Sequence, residues 1–469
     1  MSSLLLRALA PLLVALCWSA PAAASDSTNR LDLVTHPLGF LAILIFVIAY
    51  CLVIVEERVH LRKSKPVMLA GGLIWAIIGI VYASNGMQAE VAAGARHTLL
   101  DFAEILLFLI VAITYINTME ERRTFDALRD WLISLGLNFK ALFWLTGILA
   151  FFISSVADNL TTALIMCAVV MAVGKGNALF ISMSCVNIVV AANAGGAFSP
   201  FGDLTTLMVW QKGVVDFWTF FELFIPSAVN YLVPAAVMHF SLPAGKPDVV
   251  AANPVKMKRG ARRIMALFAL TIATAVMFHH ELGLPPVLGM MTGLAFLSFF
   301  GFYLRKTHDK AAAENGDEVE DIMPFDVFSK IARLEWDTLL FFYGVVMCVG
   351  GLGFMGYLAL LSGGMYGILG PTFANILVGL ISAVVDNIPV MFAVLNMNPD
   401  MSTGQWLLVT LTAGVGGSLL SIGSAAGVAL MGQARGVYTF NSHLRWAPAI
   451  AGGYFASILV HRLLNASMF

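Results

Sequence analysis

The 469-residue chain is 59% apolar and only 12% charged, whereas soluble domains carry about 25% charged residues. That composition excludes a soluble globular domain and predicts an all-α polytopic membrane protein surrounded by lipid. A net charge of −1 says little about partners, and no nucleic-acid partner is expected.

Residues 1–24 read as a secretory signal peptide. Arg7 gives a positive start, 8–18 an apolar core, and 20–24 a small-residue cleavage region. The core is short for a span, which favours cleavage over an extra first helix. Residues 25–136 are expected to form N-terminal helices, with spans at 37–55, 66–83 and 99–118. The third carries Asp101 and Glu104 one turn apart. Segment 121–135 alternates charged and apolar residues at helical spacing and is predicted to lie along the interface.

Residues 137–242 form the first repeat core. Here an apolar run, 141–173, is interrupted by Ser154, Asp158, Asn159, Thr161 and Thr162. Its two arms are each too short for a comfortable span, so they are read as a re-entrant helical hairpin with Asp158 and Asn159 at its tip. Segment 178–193 stops at Gly195 and Gly196, passes Ser199, Pro200, Gly202 and Asp203, and resumes as 204–210. Gly and Pro end helices, and the freed backbone groups then need a partner such as an ion. A span at 217–242 closes the unit. Residues 243–336 supply linking spans at 264–279 and 285–304 and a charged cytoplasmic loop, and 339–360 is read as a further crossing.

Residues 337–469 form the second repeat core. The run 370–395 is interrupted at Ser382, Asp386, Asn387 and Pro389, and 406–433 breaks between Gly414 and Ser424. The hairpins align at an offset of 228 and the broken helices at 221, which places Asn159 on Asn387 and Asp203 on Ser424. Two hairpins and two broken helices in the same order indicate a duplicated transporter core. A last span lies at 446–464. Of 27 Lys and Arg residues, 22 fall in connections of one parity and four in the other. That asymmetry predicts ten crossings with both termini outside, so the hairpins open to opposite sides and the repeats are inverted. The five cysteines, at 17, 51, 167, 185 and 348, show no paired spacing and suggest neither a disulfide framework nor a metal site.

An ionised carboxylate in hydrocarbon costs several kcal/mol or more, so Asp158 and Asp386 are candidate site residues. Hairpin tips meeting at mid-membrane gather Asp158, Asn159, Asp386 and Asn387. The broken helices add Asn193, Ser199, Asp203, Thr205, Ser421 and Ser424, while Ser154, Thr161 and Ser382 flank the tips. These are hard oxygen donors suited to Na+ or Li+, with Asp158, Asn159, Asp203 and Asn387 as the expected ligands. No cofactor is expected. A carboxylate held out of water favours its protonated form, so a proton competes with the cation and the site works as an exchanger. Glu104 is read as a structural or proton-path carboxylate.

The chain resembles the NhaD-type sodium/proton antiporters of the ion transporter superfamily. The resemblance rests on Ser154 with Asp158-Asn159-Leu-Thr-Thr, on Asn193-Ala-Gly-Gly with Gly202-Asp203-Leu-Thr205, and on Asp386-Asn387-Ile-Pro. It implies an elevator-type fold, a homodimer and a bacterial inner membrane. It also implies that Asp158, Asn159, Asn193, Asp203, Thr205, Ser382, Asn387, Ser421 and Ser424 are the polar positions needed for transport.

Two other readings fit the residues less well. Relatives in the same superfamily carry dicarboxylates with Na+, but three carboxylates without an intramembrane Arg would repel such an anion. An intramembrane aspartyl protease would use two Asp sharing a proton, but Pro200-Phe-Gly202-Asp203 lacks the first Gly of that pattern and the inverted repeat would serve no purpose. Within the repeat, Asp203 has no second-half partner, and Pro389 stands where the first half has Thr161. Asp158 and Asp203 are therefore expected to bind the cation and the proton together, with a more structural role for Asp386.

Overall fold

A computed structural model describes residues 31–174, 176–247, 255–307 and 326–469. The expected signal segment, Lys175 and most of the charged loop after Lys306 lie outside the described residues. The described elements are all helical.

The first helices are α1 (Pro37–Ile54), α2 (Ser64–Ser84), α3 (Gln88–Glu121) and α4 (Thr124–Ser134). Helix α3 is far longer than the apolar run 99–118, because the polar turns on either side of that run also wind. The first hairpin is α5 (Phe139–Ser154) and α6 (Asn159–Val173), and the broken helix after it is α7 (Ala178–Gly196) and α8 (Leu204–Gln211). Asn138 caps α5 by accepting from the Ala141 N–H at 2.8 Å, and Asn177 caps α7 through Phe180 at 3.0 Å. Next come α9 (Phe224–His239), α10 (Ala261–His280), α11 (Pro286–Lys306) and α12 (Trp336–Phe354).

The expected crossing at 339–360 is not one helix. Helix α12 stops at Phe354, and Gly356 takes a φ of 100°, a left-handed turn that glycine adopts without steric cost. The chain then winds again through α13 (Tyr357–Ser362), a π-turn and α14 (Leu369–Ser382), kinked where Gly370 has a φ of 75°. The second hairpin, α14 with α15 (Asn387–Met397), thus has a first arm that starts well before residue 370. The second broken helix is α16 (Thr403–Gly416) and α17 (Ala425–Gln433), and α18 (Ala447–Leu464) follows. Ten stretches of the described chain are long and apolar enough to cross a membrane. They are not the ten expected crossings: Tyr357–Ser382 joins the set, while α16 and α17, broken in two, do not.

The helices form two packed layers. In one, α2 lies against α1 and α12, and α3 against α10, α11 and α12. In the other, α5 and α6 lie against α7, α14 and α15 against α16, and α9 against α18. The halves of this second layer interlock, with α8 on α15 and α16, and α17 on α6 and α7. Contacts of α12 and α13 with α15, and of α4 with α6, join the layers.

Within the second layer the repeat offsets become contacts. A side chain at Gly195 would strike the Phe151 carbonyl, and one at Gly416 would strike the Gly379 carbonyl. Residues 151 and 379 are 228 apart, and 195 and 416 are 221 apart. Likewise a side chain at Gly202 would strike the Ser154 carbonyl, and one at Gly423 would strike the Ser382 carbonyl. Each broken helix therefore meets its own hairpin through the same pair of close backbone approaches. Gly195→Ala and Gly416→Ala should each lower the thermal midpoint of detergent-purified protein, because overpacking such a site costs about 1–3 kcal/mol. A midpoint unchanged in both variants would contradict these close approaches.

The hairpins enter from opposite ends. The base of the first meets the chain beyond the C-terminal end of α9, where the Phe139 N–H donates to the Gly245 carbonyl at 3.2 Å. The base of the second sits at the other end of α9. There His461 bonds the Gly404 carbonyl at 3.0 Å, and Asn465 donates to the Glu222 carbonyl at 3.2 Å. The sixteen residues of α9 separate these ends by about 24 Å. One feature was not legible in the spacing: the free thiols Cys167 and Cys185 meet between α6 and α7, with Sγ atoms 3.8 Å apart.

Candidate functional site

The two tips converge on Asp203. This residue ends the break between α7 and α8 and caps α8, accepting from the Thr205 N–H at 3.5 Å, while Thr206 bonds back to its main chain. Its Oδ2 accepts from the side-chain amide of Asn159 at 3.1 Å and from that of Asn387 at 2.7 Å. One carboxylate oxygen is thus shared by the equivalent residues of both hairpins. Asp203 is 8% exposed, Asn159 9% and Asn387 4%, so these are charge-assisted bonds largely removed from solvent.

Further hydrogen bonds extend from Asn159 and Asn193. Ser154 donates to Asn159 Oδ1 at 2.7 Å, and the Asn159 amide also donates to Asn193 Oδ1 at 3.2 Å. Asn193 in turn donates to Ser424 Oγ at 3.1 Å, and Ser424 caps α17 through the Gly427 N–H. Both broken helices therefore point a capped N-terminus at the same place, where the helix ends carry partial positive charge. Gly196 allows the approach, since a side chain there would strike Asn159 Oδ1. Among the described residues, the fully buried Thr205 hydroxyl meets the hydrogen-bond geometry of no partner. A cluster of this kind offers one carboxylate, three amides and three hydroxyls to a bare cation.

Other expected residues lie off this hub. Asp158 is partly exposed and engaged by Thr161, whose N–H and hydroxyl donate to its two oxygens at 2.9 and 2.7 Å. No hydrogen bond joins it to Asp203, so the expected Asp158–Asp203 pair is not in direct contact. Asp386 makes no side-chain cap bond at the start of α15. Pro389 explains the difference, because it offers neither an N–H nor a hydroxyl where Thr161 offers both. Both residues stand at the N-cap of their helix, but only Asp158 caps through its side chain. Ser382 donates to the Ala413 carbonyl at 2.8 Å, Ser421 to the Met431 sulfur at 3.5 Å, and Ser199 accepts from the Phe201 N–H at 3.3 Å. Glu104 sits on α3, in the other layer. Spacing alone marks both tips and Asp203 as polar. That Asp203 bridges the tips depends on how the halves interlock, which spacing does not carry.

This chain is 61% identical over 469 residues to the Na+/H+ antiporter NhaD of Alkalimonas amylolytica, covering 97% of each chain. It is 59% identical over 459 residues to the NhaD of Vibrio cholerae, covering 95% of this chain and 96% of that one. The chain belongs to the NhaD family of sodium/proton antiporters. Sodium/proton antiporter 1 of Arabidopsis thaliana is more distant, 29% identical over 437 residues covering 90% of this chain and 72% of that protein. Residues 50–414 also match the broader family described as citrate transporter. The NhaD relatives span nearly the whole of both chains, so hairpins, broken helices and linking helices all fall within the matched region.

Proposed function

We infer that the protein is a secondary transporter exchanging Na+ for H+, and that Asp203 is the carboxylate the two ions share. The observation that carries the assignment is the single Asp203 oxygen held between the tip amides of both hairpins. The tip amides donate N–H bonds to the carboxylate. For Na+ to bind, those donors must give way to oxygens, from the amides, from the Thr205 hydroxyl and from carbonyls at the helix breaks. Either the cation or a proton neutralises the carboxylate, which lets the site cross hydrocarbon at lower cost. Asp158 and Asp386, at the two tips, flank the hub and guide the cation toward it. Li+, also a small hard cation, is a second substrate.

Alternating access follows if the layer holding both repeats moves against the layer built on α2, α3 and α12. The distribution of Lys and Arg supports an inner-membrane orientation with both chain ends outside, and the family supports a homodimer. The anion-symporter reading fares worse, because a dicarboxylate would meet Asp203, Asp158 and Asp386 with no Arg to offset them. Dequenching of a preformed pH gradient in inverted vesicles tests the proposal: NaCl and LiCl should dissipate the gradient and citrate should not. Competition adds a second test. The Na+ concentration for half-maximal exchange should rise as pH falls, by up to about tenfold per pH unit for one proton displaced per cation. A half-maximal concentration that does not move with pH would argue for separate sites.

A further inference from the structure

Helix α8 has the hub at one end and an ion pair at the other. Asp203 caps its start, and Lys212 ends it. The Lys212 ammonium lies 2.9 Å from both oxygens of Asp101, which belongs to α3 in the other layer. Its side chain is 32% exposed and that of Asp101 16%, so the pair sits at the rim of the layer interface. His97 of the same helix stands 3.7 Å from the Asp101 carboxylate. Elsewhere in the seam the layers touch through rings, with Phe108 of α3 5.5 Å from Phe201 and Trp210 of α8 5.3 Å from His279 of α10. Rings slide past one another, whereas the ammonium stays paired with both carboxylate oxygens only while Asp101 remains within reach of the lysine stem.

We propose that Lys212 and Asp101 form a latch that holds the two layers together in the state described and must open during each transport cycle. The latch is coupled to the ion site by α8, an eight-residue rod about 12 Å long. A shift at Asp203 when a cation replaces its amide partners moves Lys212 along the same axis. This inference rests on the moving-layer reading given above, and the two are separable by experiment.

Cross-linking in proteoliposomes is the test. In a Cys51→Ser background, Asp101→Cys with Lys212→Cys is joined by a short bis-maleimide. Joining should cut Na+-dependent proton movement by at least about tenfold, since a population locked in one state no longer cycles. Either single-cysteine variant should exchange at the same rate with the reagent as without it. A joined protein that exchanges at full rate overturns the latch. The ring pair, Phe108→Cys with Phe201→Cys, separates the two claims. If it blocks exchange while the 101–212 link does not, the layers move but no latch exists there. If neither blocks, the moving-layer reading fails as well. Charge exchange gives an independent readout should the cysteine variants not fold. Asp101→Asn and Lys212→Gln should each change the half-maximal Na+ concentration by about two- to fivefold, the range for a partly exposed pair. Asp101→Lys combined with Lys212→Asp should return it toward the original value, and failure of that rescue also overturns the proposal.

Discussion

Asp203→Asn should abolish Na+-driven proton movement while leaving a folded, inserted protein. The amide keeps the shape, and its oxygen still accepts from the Thr205 N–H that Asp203 now caps. What it loses is the charge and the ability to carry a proton. At an effective dielectric of about 20, two unit charges about 4 Å apart interact by about 4 kcal/mol, which is about a thousandfold in affinity. Dequenching in inverted vesicles, with expression matched by immunoblot, measures the effect. Asp158→Asn should be milder, reducing exchange about tenfold, because it removes a partly exposed charge that bonds to Thr161 rather than to the hub. Wild-type exchange in Asp203→Asn would remove that residue from the site.

The second large effect concerns the two tip asparagines, which correspond in sequence but not in connection. Asn159 bonds Ser154, Asn193 and Asp203, whereas Asn387 bonds Asp203 through its side chain. Asn159→Ala therefore strands the Ser154 hydroxyl, the Asn193 carbonyl and half of the Asp203 shell. Each buried group left unsatisfied costs about 1–3 kcal/mol. The variant should lose both thermal stability and cation affinity, with the half-maximal Na+ concentration raised by about a hundredfold. Asn387→Ala removes one of the two amides on the Asp203 oxygen and leaves the Asn159 bond in place, so affinity should fall by about tenfold with a much smaller loss of stability. Equal stability losses in the two variants would contradict this division of roles.

Much of this architecture was legible in the chain. Apolar runs mark the spans, and their interruption at Asp158-Asn159 and Asp386-Asn387 marks the hairpins. The offsets of 228 and 221 reappear as the carbonyls facing Gly195 and Gly416. Helix boundaries were less legible where glycine acts through backbone conformation, as at Gly356, since a φ of 100° leaves no mark in hydropathy. The polar composition of the hub was also readable, but its connectivity was not. Hydropathy treats Asp158, Asp203 and Asp386 alike, yet Thr161 claims the first, the two tip amides claim the second, and Pro389 leaves the third without a cap. The Thr161-to-Pro389 difference lies in the sequence itself. Its consequence depends on which atoms each residue offers at the start of its helix.

Proton release on Na+ binding tests the central claim most directly, because it needs no membrane and no movement. Purified protein in weakly buffered detergent solution is titrated with NaCl while a pH indicator is followed. Wild-type protein should release protons saturably. Asp158→Asn and Asp386→Asn should do so at higher Na+ concentrations, and Asp203→Asn should release none. Proton release of wild-type size from Asp203→Asn would show that the shared carboxylate lies elsewhere.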